Sequence, residues 1–270
     1  MNETGGKNSS RLKKDQLSYV RRLNDLYIEA QLSVQGLNSV LGEVKNLQKK
    51  GKKRFKISAP STTKSPRNIY REFALVHELL DQRIHSKEYV QTIVFAVALT
   101  ESYLSFCLQA VIRAYPQKLL VSGKGTEVKE GAPLPVDLRD IIQANSIDII
   151  IADRASQRVR EASYATPESF FKYCSTIFGF EYVSELQKQY IEIKAGRDIF
   201  VHNNGIVNKI YLDKSKERSR AQNGQLLPVD LIYLEKTVIC LKKLVGETYR
   251  GLKSKYGDSD ELYRILSQDN

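Results

Sequence analysis

The chain has 270 residues, 41% of them hydrophobic and 27% charged, which is enough apolar material for a sizeable buried core and too much for a globally disordered polymer. Its formal net charge of +11 is concentrated at one end: residues 1–67 carry fifteen Lys or Arg against five Asp or Glu, whereas the remainder is nearly balanced. No apolar run reaches the roughly 18 residues of a membrane span, and MNETGGKNSS lacks the apolar segment of a signal peptide, so the expectation is a cytoplasmic protein without a membrane partner.

In chain order, residues 1–11 read as a disordered tail and 12–48 as a helical arm. Tyr19, Leu23, Leu26, Ala30, Ser33, Leu37, Val40, Val44 and Leu47 alternate spacings of 4 and 3, a heptad stripe that packs on another helix. Gly36 and Gly42 each weaken a helix by about 1 kcal/mol relative to Ala, so this arm needs a partner. It docks on the main domain, pairs with its counterpart in a dimer, or serves as a helix for another target. Residues 49–67 have the composition of a flexible linker, Ser-, Thr- and Pro-containing after a basic run that includes Lys52, Lys53 and Arg54. Such a run attracts RNA phosphates, or simply keeps a solvated linker soluble.

The main domain is expected over 68–256. Helical spacing covers 67–85 (Ile69, Phe73, Val76, Leu80), with His77 a structural or solvated residue. Glu88 to Tyr115 is apolar nearly all round and marks a central buried helix. Glu101 shares its face with Val94, Val97, Leu104 and Leu108, and a carboxylate there either finds a partner or reaches out to water. Residues 116–136 read as a loop, and Gly123-Lys124-Gly125 lacks the frame of a phosphate-binding Walker loop. A helix from about Asp137 to Ala162 carries Arg154 and Arg158 on one face, placed to touch RNA phosphates or to pair with neighbouring acids.

Thr166-Pro167 starts a helix that Gly179 ends. The next helix closes at Asn203-Asn204-Gly205; 213–225 is an exposed loop, and Pro228-Val229-Asp230 opens a final helix, with 257–270 a short helix or tail. Cys107, Cys174 and Cys240 are far apart inside apolar patterns, so they read as reduced core residues, with no metal site. Strong strand signals are absent. The expected fold is an all-α helical bundle with an N-terminal helical arm.

The chemistry concentrates in Gly196-Arg197-Asp198-Ile199-Phe200-Val201-His202-Asn203-Asn204-Gly205. Arg197 and His202, five residues apart, sit about 140° apart around the helix axis and flank one face, with Val201 beneath Arg197. A histidine near a helix C-terminus feels the negative end of the dipole and suits proton transfer near neutrality, and an arginine fork fits phosphate. The pair suggests handling a phosphodiester without a metal, although Arg and His at this spacing also occur in ordinary helices.

Arg197-Asp198, three residues, then His202-Asn203-Asn204-Gly205 resembles the R-x4-H signature of the HEPN family, all-helical domains of prokaryotic toxin and phage-defence ribonucleases. The resemblance spans roughly 68–255, from the apolar helix holding Glu101 to the closing helix. Asp198 stands where the family often has Asn. The resemblance implies a homodimer with both motifs facing a shared cleft, and RNA cut without metal or cofactor by 2′-hydroxyl attack. His202 would be the general acid or base and Arg197 the phosphate stabiliser; Asp198 would hold the histidine or contact RNA, Asn203 would fix RNA or cap the helix, and Glu101 would orient Arg197 or His202. It also implies a possible antitoxin or defence partner. Some domains of the family are non-catalytic RNA-binding or interaction modules, a role that the arm and basic segment would suit.

Overall fold

A computed structural model describes residues 4–60, 62, 67–122, 129–130, 137–144 and 146–257. Its first element is α1 (Thr4–Lys49), one 46-residue helix. The helix runs through residues 4–11, where a disordered tail was expected. The heptad stripe is its buried seam: Leu23, Ala30 and Val44 are almost fully covered, with Leu12 ahead of them, while Ser33 and Val40 stay exposed. Most of the seam is covered by two later helices of the same chain, Glu88–Ala114 and Leu231–Tyr256, so the arm docks on its own main domain. Tyr19 packs its ring 4.8 Å from Tyr103, and Lys242 Nζ donates to Asn24 Oδ1 at 2.9 Å.

The flexible linker expected over 49–67 is largely a β-hairpin. Strands β1 (Arg54–Ala59) and β2 (Arg67–Glu72) pair antiparallel with Ile57 opposite Ile69, so Ile69 belongs to a strand and the helix expected from 67 begins only at Phe73. The reason lies in the alternation Phe55, Ile57, Ala59, which interleaves with Arg54, Lys56 and Ser58 and was masked by charge. Phe55 meets Phe73 edge-on at 6.4 Å and closes a small cluster with Val44, Val76, Leu47 and Leu80.

Helix α2 (Phe73–Gln82) passes through a π turn, Arg83–Lys87, into α3 (Glu88–Ala114), the central helix of the bundle. By length and mean hydropathy (1.5) the stretch Phe73–Ala114 is apolar enough to cross a membrane, and half of its apolar window is buried inside the protein. The single helix expected over 137–162 is two: α4 (Leu138–Gln143), capped by Asp137 Oδ1 accepting from Arg139 N at 2.9 Å, and α5 (Ile147–Ser163). Short strands β3 (Val121–Ser122) and β4 (Lys129–Glu130) pair before them. The Gly123-Lys124-Gly125 loop, the Gly131–Pro135 stretch and the expected tail at 258–270 lie outside the described residues.

Helix α6 (Pro167–Phe178) starts as its sequence says, with Thr166 Oγ1 accepting from Ser169 N at 3.2 Å, and ends at Gly179. After α7 (Ser184–His202), the stretch read as a loop from 213 begins inside α8 (Lys209–Ser215). Then α9 (Leu231–Tyr256), capped by Asp230 Oδ1 accepting from Tyr233 N at 2.7 Å, closes the bundle. The result is an all-α fold with a small hairpin attached. Its core is rich in rings: Phe171 meets Tyr182 and Tyr190 edge-on at 5.4 and 5.3 Å, and Phe180 lies so close to Gly251 on α9 that a β-carbon there would collide with it. Cys107, Cys174 and Cys240 are buried thiols, as their settings imply.

Because α1 and the bundle share one core, Leu23→Ala should destabilise the whole protein by about 2–5 kcal/mol. Urea unfolding followed by circular dichroism should shift as one transition; a separate early transition of α1, with the main one unmoved, would contradict the shared core.

Candidate functional site

The R-x4-H segment is the last third of α7, and its geometry is fixed by what ends it. Asn204 and Gly205 take left-handed conformations (φ 52° and 77°), and Asn203 N and Gly205 N both donate to Ile199 O, at 2.8 and 3.0 Å. At Gly205 a β-carbon would also press within 3.1–3.2 Å of Phe200 and Leu226, so glycine is required on two grounds. Asn203 Nδ2 donates to Ile206 O at 2.6 Å, which assigns this side chain to closing the turn. The chain then returns against α7: Leu227 N donates to Gly205 O at 2.9 Å, and Val207, Tyr211 and Leu227 cover Ala195 and Ile199.

On the opposite side, α7 faces α3. Glu101 is the hinge of this contact, accepting from Arg197 Nη2 at 3.1 Å through Oε2 while Oε1 pairs with Lys194. Of the partners expected for Glu101, it takes Arg197. Arg197 Nη1 donates to Asp198 Oδ1 at 3.0 Å, and Lys214 of α8 reaches Asp198 Oδ2 at 3.4 Å. Asp198 is thus held between two cations and makes no hydrogen bond to His202 among the described residues, so it does not hold the histidine. Arg197 keeps its Nε buried without a hydrogen-bond acceptor among the described residues.

These groups line one cleft of about 600 Å³ together with the exposed His202 and with Ser102, Ser105 and Tyr164. Three permanent cations (Lys194, Arg197, Lys214) stand against two carboxylates (Glu101, Asp198), a balance that leaves the cleft able to take an anion. Lys194 and Lys214 were not singled out from sequence. Lys194 lies three residues before Arg197 and so on the same face; Lys214 sits in a stretch that reads as loop, where only the fold brings it in.

The other candidates lie elsewhere. Lys52, Lys53 and Arg54 are exposed at the entry to the hairpin, and the strand face of Arg54, Lys56, Asn68 and Tyr70 is open to solvent. Arg154 and Arg158 do not form an RNA-facing pair. Arg158 is buried, donating Nε to Leu119 O at 3.1 Å and pairing with Glu161 at 3.4 Å, and Arg154 pairs with Asp140 and with Asp153.

A second polar cluster backs α7. Glu192, 7% exposed at its side chain, accepts from Tyr211 Oη (2.9 Å), Arg220 Nε (2.8 Å) and Tyr233 Oη (2.8 Å). The Arg220 guanidinium lies over the Tyr233 ring at 3.4 Å. Burial, and next the Glu192 charge, push the Tyr211 phenol up to about 12 and raise Tyr233 well above its ordinary value.

No protein-family model, curated protein or solved structure matches the chain.

Glu101→Gln should remove about 1–3 kcal/mol of stability, because Lys194 keeps its charge in a partly buried site with no other counter-ion among the described residues and Arg197 is left with Asp198 alone; an unchanged urea midpoint would refute the tie. The tyrosines supply a pH prediction. Tyr211 and Tyr256 are held at about 12 by burial, and Tyr103, Tyr182, Tyr190 and Tyr233 are raised too, against an ordinary value of 10.0. The unfolded chain therefore loses these protons first, so stability should be intact below about pH 10 and fall as pH rises toward 12. Urea midpoints measured across that range, with tyrosinate absorbance appearing on unfolding, check it.

Proposed function

We propose that this chain is a metal-independent endoribonuclease of the HEPN type that cuts RNA in the Arg197–His202 cleft. The supporting observation is that the two motif side chains open on one cavity, in which Arg197 is steadied by Glu101 and backed by Lys194 and Lys214. A phosphodiester laid there would meet the arginine fork and two lysines. The 2′-oxygen bonds to phosphorus as its proton passes to His202; the bond to the 5′-oxygen breaks and that oxygen takes up a proton. The products are a 2′,3′-cyclic phosphate and a 5′-hydroxyl. Arg197 offsets the charge that grows on the phosphorane oxygens.

In this reading two copies pair so that both motifs face a shared cleft, covering apolar surface such as Val201, which lies between the motif residues and is 50% exposed. The protein is then a cytoplasmic toxin or phage-defence effector, held in check by an antitoxin or released by a defence partner. The exposed basic hairpin with Lys52, Lys53 and Arg54 would hold RNA outside the cleft.

A second reading, a non-catalytic RNA-binding or interaction module, is favoured by one observation: His202 has no hydrogen-bond partner among the described residues to fix its ring, since Asp198 is engaged by Arg197 and Lys214.

Purified protein incubated with a tRNA pool in EDTA separates the two. Cleavage with cyclic-phosphate ends is expected, lowered about 10²–10⁴-fold by His202→Ala and about 10²–10³-fold by Arg197→Ala. Absence of cleavage by folded, dimeric protein, with salt-dependent RNA binding that weakens when Lys52, Lys53 and Arg54 become Ala, would replace the ribonuclease with the binding module.

A further inference from the structure

Helix α4 is docked with its polar side inward. Leu138, Ile141 and Ile142 share one side of it, and Asp140 lies about 160° around the axis from Leu138 and from Ile142. Asp140 is the residue that meets the bundle, pairing with the largely enclosed Arg154 of α5. The aliphatic side is thereby turned to solvent, and α4 has no buried residue. The start of α5 repeats the pattern. Its inward face begins at Ala155 and continues through Arg158, Val159 and Ala162, whereas the two turns before it hold no buried residue and carry Ile147 and Ile149 in solvent. Leu138, Ile141, Ile142, Ile147 and Ile149 are 53–74% exposed, all within one short stretch of chain. Single exposed aliphatics are ordinary; such a cluster, on two helices joined by an ion pair, marks a surface that something covers.

Two features specify what covers it. The first is size. At roughly 60–120 Å² of apolar surface for each fully exposed Leu or Ile, the five side chains present roughly 200–400 Å² per copy. With the polar rim that makes up roughly a third or more of such surfaces, this approaches the roughly 600 Å² per partner at which stable pairing begins. The second is charge. Asp140 and Asp153 are committed to Arg154, which leaves Arg139 on α4 and Asp148 on α5, both exposed and without an ion pair among the described residues. A rim with one cation and one acid per copy is self-complementary, as a two-fold contact requires. Residues 137–154 carry four Asp against two Arg, a balance that does not attract RNA or an anionic membrane.

We infer that this patch is an interface on which a second copy of the chain seats the same two helices about a two-fold axis. The isoleucines of the copies cover one another, and Arg139 of each copy meets Asp148 of the other. Ile147 lies about 24 Å along α5 from Ser163, which lines the motif cleft. The contact is therefore separate from the pairing proposed at the motif, and a chain that used both would assemble beyond a dimer.

Sedimentation equilibrium of the full chain across about 1–100 µM tests it, a range suited to an interface at the small end of the stable class. The wild-type mass should rise over this range. Ile142→Glu combined with Ile147→Glu, both exposed and so harmless to the fold, should halve the mass reached at the top of it, with the circular dichroism spectrum unchanged. Asp148→Arg should weaken association about threefold to tenfold, and adding Arg139→Asp should restore it to within about threefold of wild type. Restoration by the second reversal is a result that non-specific clumping of apolar surface would not give. Equal masses for the wild type and the double Glu variant, or no restoration by the paired charge reversal, would overturn the inference. So would co-sedimentation of the wild type with phosphatidylcholine vesicles that the double Glu variant loses, since the patch would then belong to a lipid surface.

Discussion

A carboxylate inside a helical bundle must be answered, and the answer given to Glu192 arranges most of what surrounds α7. Its two oxygens gather Tyr211 from α8, Tyr233 from α9 and Arg220 from the segment between them, and Arg220 goes on to bond Pro228 O. Three successive parts of the chain, a helix, the segment after it and the next helix, are thereby fastened to one point. Had these partners been missing, the desolvation of the charge would have exceeded any gain from packing there. With them, the segment from 205 to 230, poor in apolar residues, holds a defined course over the end of α7.

That course in turn supplies the motif cleft. Fastening α8 brings Lys214 to Asp198, and the return of Leu227 beside Gly205 fixes the last turn of α7. On the other side Glu101 ties α7 to α3 through Arg197 and Lys194. The helix is thus gripped by an acid on each flank, one of its own and one from its neighbour. Arg197 is pre-positioned, its fork shared between Glu101 and Asp198, so an incoming phosphate would compete with carboxylates for it rather than find it free. Competition of this kind sharpens discrimination, since only a ligand with more than one strong acceptor wins the exchange.

Reading the sequence in advance succeeded where local rules govern. Thr166, Gly179, Asp230 and the Asn203–Gly205 stop mark helix ends by capping chemistry that needs no tertiary contact. The heptad stripe of α1 gave its buried face, and the acid embedded at Glu101 was expected to meet Arg197 or His202, of which it meets Arg197. It failed where distant residues decide. The hairpin was hidden because its apolar alternation is spread between basic residues and becomes a surface only against Phe73. Arg158 does pair with a neighbouring acid, Glu161, but its burial was not legible, because the carbonyl of Leu119, 39 residues away in sequence, draws it inside. Lys214 and the Glu192 cluster carry no local signature, because their pairing exists only once α8 and α9 have packed.

The π turn at Arg83–Lys87 has a consequence for how this fold can vary. A π turn is an α-helix with one residue too many, and it sets the angular phase between α2 and α3. Upstream, Phe73 and Val76 face the end of α1 and the hairpin; downstream, Ile93, Ala96 and Val97 face the main core. Loss of a single residue from the turn would restore a regular helix and rotate α2 by about 100° relative to α3. The hairpin with its basic face would leave its place against the end of α1, which stays anchored in the main core through Leu12, Leu23 and Ala30, and the small cluster around Val44 would be lost. One codon deleted there would cost this outlying cluster, whereas the same deletion inside α3 would cost the core itself.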